Sequence, residues 1–154
     1  MLPRRHFTGL ILISAVAACS TPPTPSQLAT DTSLIASGLS AAIASIAAIP
    51  GVSPATVSQL QGYLATIEAD ATTVAAATVT TPTNIVEEIA QTVQAVASVA
   101  LPLIPGGTSL VALINAAVSL VPTILAAVGV SGAAPAGPLP YTPAQARLIL
   151  AAAR

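Results

Sequence analysis

The 154-residue chain has no lysine and no tryptophan, and only one cysteine, one histidine and one phenylalanine. Charge is scarce as well: 6% of residues are charged, against about 25% in an ordinary soluble domain. Each shortage removes a class of function. A lone cysteine, Cys19, excludes a disulfide framework within one chain. The lone histidine, His6, falls in a segment that reads as a removable leader, residues 1–18. Without it no Ser-His-Asp or Cys-His device can be assembled, and no histidine-based zinc site. Beyond residue 18 the only bases are Arg147 and Arg154. No basic patch is left to displace counterions from phosphates, which argues against a nucleic-acid partner.

Carboxylates are the remaining chemistry. They are Asp31, Glu68, Asp70, Glu87 and Glu88. Glu68 and Asp70 stand two apart and so point to different sides of a helix. Glu87 and Glu88 fall in the first turn of the next helix. If those two helices fold antiparallel, this reading sets the pairs about two turns out of step. For these two pairs the expectation is therefore solvated caps and surface charges, and the chain is expected to hold no catalytic residue, no metal site and no cofactor. Gly106-Gly107 follows Pro105 between helices and is not the glycine loop of a phosphate-binding strand-loop-helix unit.

What is abundant is aliphatic. The chain is 54% hydrophobic with a mean hydropathy of +0.86. Met1 to Phe7 is short and basic, and Gly9 to Ala18 is apolar. About ten apolar residues are too few to span a bilayer but suit the core of a signal peptide. That core ends Val16-Ala17-Ala18-Cys19, and Ser, Thr and Pro follow at once. This stretch resembles the lipobox of bacterial lipoproteins, in which an aliphatic and two small residues precede an invariant cysteine. Val16 stands where leucine is commoner. The resemblance covers only residues 1 to about 20. It implies cleavage before Cys19, a thioether-linked lipid on its thiol, and a place in the bacterial cell envelope. Because Ser20 is not aspartate, it implies the periplasmic face of the outer membrane if the cell has two membranes. The alternative is a plain secretory signal with a free Cys19. Arg4-Arg5-His6-Phe7 also resembles the twin-arginine export signal, with Arg4, Arg5 and Phe7 as its recognised residues. Pro3 and Thr8 depart from the fuller pattern, and ordinary export of an unfolded chain stays open. Residues 19–26 read as a lipidated cysteine and a Pro/Thr-rich tether, since repeated proline removes donors and favours extended backbone.

Residues 27–154 carry helical periodicity and predict an all-α domain: an antiparallel bundle of about four helices plus a short C-terminal one. The first helix is expected over Gln27 to Ile49, ended by Pro50-Gly51. Ser53-Pro54 starts the second, whose seam is Val57, Leu60, Leu64, Ile67, Ala71, Val74 and Thr78. Asn84 with Glu87 resembles a capping box for the third, which runs through Ile89, Val93, Val96 and Ala100 to Leu103, with a bend at Pro102. Thr108 is placed to cap the fourth, Ser109 to Val128, which is aliphatic nearly all round and carries a helix-kinking Pro122. A Gly/Pro/Ala loop follows, and Thr142-Pro143 starts the last helix.

A helix apolar all round is either a core helix or a membrane span. From Ile89 to Ala146 no residue is charged, so a hairpin over 89–130 could insert into a bilayer. No lysine or arginine flanks it to anchor or orient it, and the amphipathic stripes of the first two helices need something to bury against. The bundle is the expected arrangement. The expected role is a non-catalytic, lipid-anchored envelope protein whose helical domain stiffens an assembly or binds an envelope partner or its own copies. The alternative is a membrane-active protein, similar in composition only to small phage lysis proteins. A carrier of apolar ligands is a third, weaker idea.

Overall fold

The computed structural model describes residues 24–77, 80–106, 108–130 and 139–154. Arg4, Arg5, Phe7, Val16, Ala17, Ala18 and Cys19 lie outside the described residues, as do most of the tether and Thr78. The described residues form five α-helices and no strand: α1 (Pro25–Ala47), α2 (Pro54–Ala76), α3 (Thr83–Ala100), α4 (Ser109–Ala127) and α5 (Pro143–Ala151).

Three of the five begin the same way, with a hydroxyl followed by proline. Thr24 accepts a hydrogen bond from the Gln27 amide at 3.3 Å, and Ser53 accepts one from Thr56 at 3.1 Å. Thr142 and Gln145 complete a reciprocal capping box. The hydroxyl satisfies an amide the helix cannot, while proline loses nothing at the first helical position and has its φ preset. Two expected caps are absent. α3 starts at Thr83 behind Pro82, with no side-chain cap, so Asn84 sits inside its first turn, and Glu87 and Glu88 fall in the second turn and not, as expected, in the first. Thr108 makes no capping bond, and its buried hydroxyl has no partner. α1 also starts earlier than expected, so Pro25 and Ser26, assigned to the tether, form its first turn. Pro102 turns the end of α3 into a short 3-10 segment, Leu101–Leu103, and α4 continues through Pro122 to Ala127.

Connections of about six to eight residues make α1 to α4 successive antiparallel neighbours. α1 packs on α2 and α4, and α3 packs on the same two, while α1 and α3 barely meet across the diagonal. The four helices therefore close a ring in chain order. The start of α1, the α2–α3 connection and the end of α4 share one end, where Leu28, Thr81 and Val128 line a common cleft. α5 lies over α1 and α4.

The core is aliphatic. Ile35, Leu39 and Ile46 of α1 meet Leu60, Ile67 and Val74 of α2, Ile89 and Val96 of α3, and Ile114, Leu120 and Ile124 of α4. The α2 seam is narrower than its sequence pattern: Leu60, Ile67, Ala71 and Val74 are buried, but Val57 and Leu64 are only half-buried. The line through 60, 67, 71 and 74 points inward, and Leu64 and Val57 stand to one side of it. α4 packs against α1, α3 and α5, which buries Ile114, Leu120, Val121 and Ile124. Leu110, Val111, Leu113 and Val118 remain half-buried. α1 and α4 are each long and apolar enough to cross a membrane, with mean hydropathies of 1.2 and 2.2.

Candidate functional site

Charge is so rare that its placement is the most informative chemistry in the body. Asp31 lies on α1 and is 1% exposed. It falls on the helix's own apolar line, between Leu28 and Ile35, so the packing that buries those residues buries the carboxylate too. An ionised group there needs a cation and full hydrogen bonding. Arg147 of α5 supplies both. Its Nε donates to Oδ1 and its second guanidinium nitrogen to Oδ2, each at 2.7 Å. This is the planar two-bond match of arginine and carboxylate. The hydrogen bond to Asp31 pushes the Arg147 guanidinium above its already high pKa, against the opposing effect of burial. Ala146 and Leu150, buried on either side of Arg147, seat α5 on the bundle. Leu150 reaches so close to Gly38 of α1 that a Cβ on that glycine would overlap Leu150 Cδ2. Arg154 completes the join, donating to Ser33 and Ser37 of α1 at 3.2 and 3.4 Å.

Beside this join an open cleft of about 710 Å³ runs between α1 and α2. Ser37, Ser40 and Ala44 line one side, Thr72 and Ala75 the other, with Glu68 and Arg154 as the charged groups. The Ser37 hydroxyl donates to the Leu34 carbonyl of its own helix at 3.2 Å.

The second buried carboxylate is Asp70 on α2. It is 9% exposed, and its Oδ2 is buried with no hydrogen-bond partner. Burial raises its pKa, and the charge of Glu88 raises it further. Asp70 corrects the expectation that the Glu68/Asp70 and Glu87/Glu88 pairs are solvated caps and surface charges. The two-turn offset also fails. Counting back from Ala76 and forward from Thr83 sets Asp70 level with Ile89, next to Glu88. The sequence held a usable signal for both acids: each interrupts an apolar helical line, at 28-31-35 and at 67-70-74, and an acid on such a line is buried by its neighbours. Which base would answer Asp31 was not readable, because 116 residues separate it from Arg147.

Among the described residues no three His, Cys, Asp or Glu side chains stand together as a metal site. Compared with known protein families, with curated proteins and with solved structures, the chain matches none.

Proposed function

We propose that the protein is a lipid-anchored component of a bacterial cell envelope whose helical bundle serves as a structural or partner-binding module and not as a catalyst. The observation that carries this reading is Val16-Ala17-Ala18-Cys19 at the end of a short apolar core. On this reading Thr24, which caps α1, follows the anchor by only a few residues, and the body would stand close to the membrane. On this reading a diacylglyceryl group on the Cys19 thiol, with an acyl chain on its amine, holds the protein durably, because one chain alone binds a membrane only marginally. The sparsely charged surface is suited to association with like helices or another envelope protein, since few charges protect poorly against contact.

Intact mass of the purified protein tests the anchor. The expected mass is that of residues 19–154 plus the lipid; an unmodified mass, or a mature terminus other than Cys19, rejects it. The rival reading, insertion of the 89–130 hairpin, draws on the mean hydropathy of 2.2 over α4. Replacing Cys19 by serine separates the two. A tethered bundle leaves the membrane fraction, whereas an inserted hairpin stays in it.

A further inference from the structure

Asp70 is a buried acid that the proposed function does not use. Every charged group near it can be named. From α3 come Glu88 and Glu87, from its own helix Glu68, and from α1 Asp31, whose two oxygens are both held by Arg147. The remaining arginine, Arg154, is engaged with Ser33 and Ser37. Neither arginine forms an ion pair with Asp70; the salt bridge among the described residues is Arg147–Asp31. Its Oδ2 is an acceptor with nothing to accept, in a chain whose other buried carboxylate is fully bonded.

We propose that Asp70 and Glu88 form a proton-sensitive joint between α2 and α3. A proton taken from water onto Asp70 Oδ2 turns the orphan acceptor into a donor. The Glu88 carboxylate, level with it on the facing helix, is the acceptor. With that proton in place one negative charge is shared across the helix pair. When the proton is lost, the buried Asp70 carboxylate is left charged beside the exposed Glu88, and the repulsion loosens α2 from α3. The sign follows from a carboxyl whose pKa is higher folded than unfolded. Its stabilisation is complete below the ordinary aspartate range and is lost as pH rises through the folded value. The joint is tight in acid and slack at neutral pH, the reverse of a salt-bridged aspartate.

The chain has only two aspartates, Asp31 and Asp70, so carboxyl carbon-13 labelling of aspartate gives two signals and Asp70→Asn assigns them. The full chain, purified in detergent, is titrated by NMR and melted across the same pH range. Asp70 is expected to titrate above the ordinary aspartate range, and Glu88→Gln to lower that midpoint by about half a pH unit or more. The melting temperature of the parent protein is expected to fall by about 4 °C from about pH 4 to about pH 7, and Asp70→Asn to remove most of that fall. Glu88→Gln lies on the surface and keeps the test open should Asp70→Asn fail to fold. An Asp70 midpoint in the ordinary range, or one indifferent to Glu88→Gln, overturns the proposal. So does a rise in melting temperature on adding calcium chloride at neutral pH that Glu88→Gln abolishes, which would make the pair a cation site.

Discussion

Arg147 holds Asp31 by two parallel hydrogen bonds of 2.7 Å, joining the last helix to the first across 116 residues. The pair makes α5 part of the bundle, because an acid buried in α1 is satisfied only while α5 is seated. A fully buried pair loses about 3–5 kcal/mol when one partner is removed, and Arg147, at 29% exposed, leaves water some access.

Arg147→Ala is therefore expected to cost about 2–4 kcal/mol in urea unfolding, since it strands the Asp31 carboxylate. Exchanging both partners for aliphatics, Asp31→Leu with Arg147→Met, is expected to recover most of that loss. If the double variant is as unstable as the single one, α5 is held by something other than the ion pair.

Two helical glycines are expected to respond in opposite directions to alanine. Around Gly62 of α2 a Cβ meets nothing within 4 Å, so Gly62→Ala should stabilise by about 0.5–1 kcal/mol through reduced backbone entropy. At Gly38 the same change drives a methyl into Leu150 Cδ2, which is fully buried and has little room to turn. Overpacking of about 1–3 kcal/mol should outweigh the helix gain and leave Gly38→Ala destabilised. Trimming the partner, by Leu150→Ala in the Gly38→Ala background, should relieve less than the clash cost, because it opens space in the core. Thermal melts of the three variants beside the parent protein check the order.

The α2 seam makes a sharper comparison. Leu60→Asp places an unpaired carboxylate at a fully buried position and is expected to unfold the bundle, costing more than ~4 kcal/mol. Leu64→Asp, one turn along at a half-buried position, can turn its carboxylate toward water and should cost only about 1–2 kcal/mol. Circular dichroism distinguishes them. Equal loss of helix in both would mean that α2 is rotated from the orientation described.

Thr142→Ala removes one half of the capping box that starts α5 and should cost about 1 kcal/mol. Because α5 is nine residues long, the loss should show first as faster amide exchange within it, ahead of any change in α2 or α3.

The sequence by itself determined where most helices lie. The Ser53-Pro54 and Thr142-Pro143 starts are local chemistry, set by a hydroxyl within reach of an amide and a ring that presets φ, and they stand where the sequence places them. The aliphatic spacing of α1 to α4 likewise specified an all-α fold, but the structure makes α4 one side of the four-helix ring, packed on α1, α3 and α5, and not a central helix. Local rules misled at Thr83–Glu87, where Pro82 took the cap position from Asn84. What only the tertiary structure decided is the fate of the charges. A helix pattern gives the angle of a residue about its own axis but not the partner that the angle faces. Asp31 meets Arg147 because α5 lies back along α1. Asp70 feels the charge of Glu88 because α2 and α3 fold antiparallel about one short connection. Distance along the chain carries no record of either meeting, and the electrostatics of a buried carboxylate depend on who is met.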